Sequence, residues 1–315
     1  MPFTGGLQAQ TAHERAKVME SLPHYQIRNA IKGTLEIPFT DSLSDLGGEW
    51  TRGFRKYHPE AKIVFLPKLS GEAAKPFLGG TSNLVILARE LTTAELEIFQ
   101  TRFGYLPMRI PVCLDANIVF VHKDNPLTSI SMEQLDAIYS RDRLGGAPAA
   151  VKVWGDLGVK GELARRSINA YTRAAGTALR GSIAKVVLLD GEFRQGIIDR
   201  QDNSDLAETI SMDSGGIAIG ALASWYSINK VLAVTPYRGS EARFPSQDMV
   251  TNSKYPMPRL YYAYLNRAPG KPVDPVAGEM VNYFLSQEGQ SMVAEVGLMP
   301  GPVEFISAAL RRLAR

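Results

Sequence analysis

Short apolar runs alternate with amphipathic stretches along the chain, which is the pattern of an α/β protein. TLEIP (34–38) reads as a first strand and residues 62–67 as a second. NLVILA (83–88) is almost continuously apolar and suits a strand buried on both faces of a parallel sheet. Between the first two strands a helix is predicted over 43–57, because Leu43, Leu46, Trp50, Phe54 and Tyr57 recur at three- and four-residue spacing. Thr40, Asp41 and Ser42 offer caps at its start, and His58-Pro59 stops it. Ser70-Gly71-Glu72 begins a short helix, a longer one covers 94–103, and strands are predicted at 109–114 and 117–121. A second series comes next: a helix capped by Ser131 with Gln134 completing a capping box, strands at 151–153, 169–171, 215–220 and 231–234, and a helix over 177–188. RLYYAYL (259–265) is a late strand, with helices after it over 275–286 and 288–296. That strand has no partner group of its own and most simply returns to the first series. Residues 13–30 read as helical and residues 1–30 as an N-terminal extension.

Composition narrows the function classes. The 315 residues are 45% hydrophobic, enough for a substantial core, and the net charge of +3 is far from the basic stripe of a nucleic-acid binder. A single cysteine, Cys113, excludes an intrachain disulfide and a Cys-based zinc site, and its apolar setting IPVCLD predicts a buried structural thiol. No uninterrupted apolar run is long enough to span a membrane as a helix. GGLQAQ (5–10) reads like the tail of a secretory signal peptide whose charged and apolar regions have been trimmed away, which predicts an extracytoplasmic location.

Nucleotide-binding, metalloprotease and nucleophile-elbow motifs are absent. The four histidines, His13, His24, His58 and His122, lack metal-ligand spacing, and no cofactor is expected. What recurs is a hydroxyl, amide or guanidinium group at the passage from strand to helix: Thr40, Asp41 and Ser42; Ser70 with Gly71; Asn83; and Arg173 with Gly176 and Thr177. Helix starts present unpaired N–H groups and a partial positive charge, so several of them together make an anion site. Each such residue has a competing reading as an ordinary helix cap.

Several segments resemble the phosphate-binding proteins of ABC transporters, a branch of the type II periplasmic binding-protein fold. ILARELTTAEL (86–96) is similar to the family's Ser-Arg, Leu-Thr and acidic-helix segment. IPVCLDANIVFVHKDNPLTSISMEQLDAIYS (110–140) resembles its crossing strand, Asn-Pro turn and following helix. VWGDLG (153–158), YTRAAGT (171–177), GGIAIG (215–220), YPMPRLYYAYLN (255–266) and LSQEGQSMVAEVGLMP (285–300) resemble its later segments.

The resemblance implies two α/β lobes joined by two crossing strands: residues 31–111 with 235–315, and residues 112–234. It implies capture of inorganic phosphate or another small anion in the cleft between lobes, by a monomer serving an ABC permease or a membrane sensor. Thr40, Asp41, Ser42, Ser70, Gly71, Asn83, Arg89, Arg173, Gly176 and Thr177 would line the site. The sequence departs from the family where an Asp appears as Asn83, the Ser before Arg89 as Ala88, and the hydroxyl-rich loop as Ala174-Ala175-Gly176-Thr177. A carboxylate accepts the proton of hydrogen phosphate and repels sulfate; with Asn83 there, selectivity should collapse unless Asp41 faces the ligand. An enzyme built on the same fold and a ligand-free interaction protein are the competing readings.

Overall fold

The computed structural model describes residues 19–225, 227–237 and 239–314, without the side chains of Ser70 and Ser224; GGLQAQ (5–10) and His13 lie outside the described residues. In chain order the first elements are β1 (Gly33–Thr40), α1 (Ser44–Phe54), β2 (Ala61–Lys68), α2 (Ser70–Ala73), α3 (Lys75–Leu78), β3 (Leu84–Leu87), α4 (Thr93–Phe103) and β4 (Met108–His122). The middle of the chain forms β5 (Ser129–Ser131), α5 (Met132–Tyr139), β6 (Asn169–Arg173), α6 (Ala178–Val186), β7 (Ile198–Arg200), α7 (Asn203–Met212), β8 (Gly216–Ala221), β9 (Asn229–Thr235) and α8 (Gln247–Thr251). The chain ends with β10 (Pro258–Leu265), α9 (Pro275–Phe284), α10 (Gln287–Glu295), β11 (Met299–Pro300) and α11 (Val303–Leu313).

The chain divides into a central unit, Asp115–Arg259, and a terminal unit made of the described residues up to Leu114 and from Leu260 onward. β4 carries the chain into the central unit after Leu114, and β10 brings it back after Arg259. The resemblance set these passages after residues 111 and 234. The second lies about 25 residues later than expected, because residues 235–257 are tied to the central unit. There Val234 bridges Arg243, Met257 O accepts the Asn117 N–H at 2.9 Å, and Tyr255 Oη donates to Asn117 O at 2.8 Å. The two strands expected at 109–114 and 117–121 are one strand, β4. The strand expected at 151–153 is reduced to a single bridge between Val153 and Ser167, and α7 is a helix that the sequence pattern did not predict.

In the terminal unit β1 pairs parallel with β2 and with β3, and β10 runs antiparallel to β3, with Tyr262 opposite Leu87 and Leu265 opposite Leu84. The late strand thus returns to the first series as expected. All four residues of β3 are fully buried, which accounts for its unbroken apolar run. Trp50 of α1 stacks on Phe284 at 4.0 Å and donates its indole N–H to Gly289 O at 2.9 Å. Gly289 is obligatory here, since a Cβ on it would lie 2.0 Å from the Tyr283 carbonyl oxygen.

Only residues 19–20 of the described N-terminal segment are helical; from Pro23 onward the segment is a strap laid on the terminal unit. Leu22, Tyr25 and Ile31 are buried. Tyr25 Oη lies 2.6 Å from His58 Nε2 and donates to Glu279 Oε1 at 2.6 Å. His58 Nδ1 accepts the Ile31 N–H at 3.4 Å, so Nε2 carries the proton of a neutral ring and donates it to Tyr25. Burial lowers the His58 pKa below its ordinary value, against a weaker upward pull from Glu279.

In the central unit β6 lies parallel between β7 and β8, β4 runs antiparallel to β8 and to β9, and β5 pairs with β9. Ser131 caps α5 through the expected capping box, accepting the Gln134 N–H at 3.1 Å while Gln134 Oε1 accepts the Ser131 N–H at 2.9 Å. Cys113, at the end of the terminal unit's share of β4, is a buried thiol, as its apolar setting predicts.

Candidate functional site

In open α/β sheets ligands gather at the carboxyl ends of the strands, where loops and helix starts project their N–H groups. Each unit has such an edge. In the terminal unit it holds Thr40 at the end of β1, Ser70 and Gly71 just past β2, and Ala88 and Arg89 just past β3. Thr40 is fully buried, and its Oγ1 accepts the Ala88 N–H at 3.1 Å, which leaves its O–H as a donor. Asp41 and Ser42 form the next turn; Asp41 is half-buried, its carbonyl accepts from Ser44 Oγ at 2.7 Å, and Ser42 is exposed. Ser70 is the first residue of α2, and its side chain lies outside the described residues. Gly71 is exposed, and a Cβ on it would meet nothing within 4 Å.

Two expected residues are set apart. Asn83 precedes β3 at the opposite, amino edge of the sheet, where its backbone carbonyl accepts the Asn266 N–H at 2.9 Å. Five residues of extended chain, about 16 Å, separate it from Ala88. The apolar run 83–88 reads as one strand with site residues at both of its ends, yet a strand has only one carboxyl end. Asn83 is therefore no test of a ligand's proton at this edge.

Arg89 is at the right edge but engaged. Its guanidinium forks onto Glu95, with Nη1 to Oε2 at 2.6 Å and Nη2 to Oε1 at 2.8 Å, and Nη1 also reaches Glu90 O at 2.8 Å. Glu95 simultaneously closes a capping box with Thr92 at the start of α4. Burial pushes the Glu95 carboxyl up, but the hydrogen bonds from Arg89 and Thr92 outweigh it and hold the pKa below the ordinary value. Arg89 thus fastens α4 to the end of β3.

The central unit's edge is different in kind. Arg173 ends β6, and its Nε is buried without a hydrogen-bond partner among the described residues. Its neighbours differ: Arg180 pairs with Asp199 at 2.6 Å and stacks 3.8 Å over Phe193, whereas Arg200 lies 3.9 Å from the Asp205 carboxylate and its Nε is likewise buried without a hydrogen-bond partner among the described residues. Arg173 has no carboxylate partner among the described residues. After it the chain turns through Ala174 and Ala175 to Gly176, whose φ of +85° is a left-handed conformation that a side chain would strain. Thr177 caps α6 with both capacities of its hydroxyl, donating to Ala174 O at 2.8 Å and accepting the Arg180 N–H at 3.3 Å. Its cap reading accounts for its geometry.

Sequence reasoning missed a buried ion pair at the two ends of this unit. Arg259 Nη1 donates to Asp115 Oδ2 at 3.0 Å with both side chains 2% exposed, and Asp115 Oδ1 accepts the Ala223 N–H at 3.1 Å. The signal was present in a charged residue within the otherwise apolar run around Cys113.

A family model described as a PBP superfamily domain matches residues 26–288. The phosphate-binding protein PstS of Pseudomonas aeruginosa is 30% identical over 298 residues, covering 95% of this chain and 92% of the relative. Protein SphX of Synechococcus elongatus is 26% identical, covering 94% and 86%. Among solved structures, an ABC-type phosphate transport receptor from Vibrio cholerae superposes with a TM-score of 0.70 at 16% identity, over 84% of this chain and 99% of that one. A possible phosphate binding protein from Planctomyces limnophilus gives 0.68 at 18% identity, over 90% and 99%. The structures establish the periplasmic binding-protein fold, and with the family match and the PstS identity they place the chain: it belongs to the PBP superfamily, in the family of the phosphate-binding protein PstS.

Proposed function

We propose that this chain is an extracytoplasmic solute-binding protein that captures inorganic phosphate, or a closely related oxyanion, and delivers it to an ABC permease or a membrane sensor. It acts as a monomer that binds without catalysis; the relative from Pseudomonas aeruginosa is named for phosphate binding. No helix among the described residues is long and apolar enough to cross a membrane. The observation that carries the reading is Arg173. A buried guanidinium nitrogen with no partner among the described residues, at the carboxyl edge of a parallel pair, is costly unless something anionic occupies it. A guanidinium fork matches the spacing of two oxygens on a tetrahedral anion. On the terminal unit the same reading assigns donors to the Thr40 O–H and to the backbone of Ser42, Ser70 and Gly71, with Asp41 as the acceptor for a phosphate proton. Arg89, Gly176 and Thr177 are left as scaffold.

Calorimetric titration of phosphate into dialysed protein tests it. Saturable binding that weakens at least about 30-fold, roughly 2 kcal/mol, in Arg173→Ala is the expected result. Absence of binding, or equal affinity in the variant, overturns it.

A further inference from the structure

The loop after Arg173 carries Ala174 and Ala175 in place of hydroxyl groups, so an oxyanion held there needs donors from elsewhere. The chain has three tryptophans. Two have their indole N–H committed to backbone carbonyls: Trp50 to Gly289 at 2.9 Å and Trp154 to Gly215 at 3.1 Å. The third, Trp225, has its Nε1 buried with no hydrogen-bond partner among the described residues. Buried indole N–H groups ordinarily find an acceptor.

Its position gives the orphaned donor a meaning. β8 lies beside β6, parallel to it, and runs directly into the turn Leu222–Ser224 that ends on Trp225. Trp225 thus leaves the carboxyl edge of β8 as the 174–177 loop leaves that of β6. The turn is pinned, with Asp115 Oδ1 accepting the Ala223 N–H at 3.1 Å and Leu222 O accepting the Trp225 N–H at 3.0 Å. On the other side of β8, Asn117 of β4 stands opposite Ala221, the last residue before that turn. Asn117 is fully buried; its Nδ2 donates to Ser182 Oγ on α6 at 2.8 Å, and its Oδ1 has no partner among the described residues. Among the described residues, one edge of the central unit therefore carries three buried donors without partners, Arg173 Nε, Arg200 Nε opposite it on β7, and Trp225 Nε1, and one such acceptor, Asn117 Oδ1.

We propose that Trp225 and Asn117 are ligand-contacting residues of the central unit's oxyanion site, the Trp225 indole N–H donating to any tetrahedral anion and Asn117 Oδ1 accepting the proton of a protonated one such as hydrogen phosphate. The inference rests on the oxyanion-binding reading of Arg173 and divides the labour within it. An indole is a donor only and cannot sense whether the anion carries a proton. An amide oxygen can, because it accepts from hydrogen phosphate and finds no proton on sulfate. Asn117 Oδ1 thereby joins Asp41 as an acceptor for the ligand's proton; its own amide nitrogen is committed to Ser182 Oγ, so this asparagine offers only its oxygen.

The test uses the full chain with phosphate and sulfate as probes. Trp225→Phe should weaken both anions by a similar factor of at least tenfold, about 1.4 kcal/mol, without shifting the ligand-free thermal midpoint. Asn117→Asp keeps the shape and replaces the amide with an acceptor that repels a fully ionised anion, so it should widen the phosphate-to-sulfate affinity ratio at least tenfold. In unsubstituted protein labelled with 15N at tryptophan, phosphate should move the Trp225 indole signal, identified by its through-space contacts, and leave those of Trp50 and Trp154 in place. This last measurement decides the Trp225 assignment even where the substitution prevents folding. Phosphate binding by the unsubstituted chain with a stationary Trp225 signal and unchanged affinity in Trp225→Phe overturns that contact and leaves the Arg173 reading standing. An unchanged selectivity ratio in Asn117→Asp overturns the acceptor role. No phosphate binding by the unsubstituted chain overturns the Arg173 reading and this inference with it.

Discussion

Arg89 and Arg173 each come at the end of a buried parallel strand, and in the sequence they look equivalent. In the structure they are opposites. Arg89 meets Glu95 six residues later, in a two-pronged ion pair that also closes the cap of α4, whereas the Nε of Arg173 is buried with no partner among the described residues. The residue type and its place on the strand are the same; what differs is whether a carboxylate comes within reach. An arginine satisfied by its own protein holds the scaffold together, and the one whose buried nitrogen lacks a partner among the described residues is the one to which the proposed anion is assigned.

A third arginine sharpens the contrast and carries the largest expected effect. Arg259 is paired with Asp115 in a fully buried setting, and removing one member of a buried ion pair leaves the other charge stranded. Arg259→Ala should cost about 3–5 kcal/mol of the central unit's stability in urea unfolding. A loss below about 1 kcal/mol would mean the pair is solvated and not comparable with Arg89.

Next comes Arg173→Ala, with a loss of about 2 kcal/mol in phosphate affinity and little change in unfolding of the ligand-free protein. Were stability to fall instead and affinity to hold, the two arginines would have the same role and the comparison would dissolve. Arg89→Ala is the mirror experiment: about 1 kcal/mol of stability lost, given the partial exposure of the pair, and phosphate affinity kept within about twofold, well under the 1.4 kcal/mol that marks tenfold. Any larger loss of affinity would bring Arg89 back into the site.

The smallest effect concerns another polar group satisfied from within, His58. Its pKa is lower folded than unfolded, so the unfolded chain takes up the proton first on acidification. The stability it contributes is whole above about pH 6.5, the ordinary histidine value, and is lost as pH falls from there toward the folded pKa. His58→Gln keeps one acceptor for Ile31 and one donor for Tyr25 while removing the titration. It should flatten the dependence of stability on pH between about 5 and 7; a slope equal to that of the parent protein would place the titrating group elsewhere.

The placement of the candidate residues at the terminal unit's carboxyl edge was legible in the sequence. Thr40, Asp41, Ser42, Ser70 and Gly71 come just after strands that the apolar runs locate to within a residue or two, and a residue just past a strand in an α/β unit lies at the carboxyl edge of the sheet. Asn83 escaped because it begins a strand and does not end one, a distinction carried by two residues of register. Asn117 and Trp225 escaped for another reason. An asparagine in an apolar strand and a tryptophan after a glycine-rich one look like ordinary packing until the partners that satisfy the other tryptophans are found to be missing.

The sequence alone determined the alternation of strands and helices, the Ser131 capping box, the buried setting of Cys113 and the return of RLYYAYL to the first series, because each rests on patterns within a few residues or on counting strands against partners. Only the tertiary structure decided that residues 235–257 stay with the central unit, that Glu95 occupies Arg89, and that Arg173 Nε, Trp225 Nε1 and Asn117 Oδ1 are all without partners among the described residues. Those outcomes depend on which groups meet in space, six residues apart for Arg89 and Glu95 and as many as 138 for Asn117 O and Tyr255. Hydrogen-bond satisfaction is a property of such meetings and not of any residue by itself.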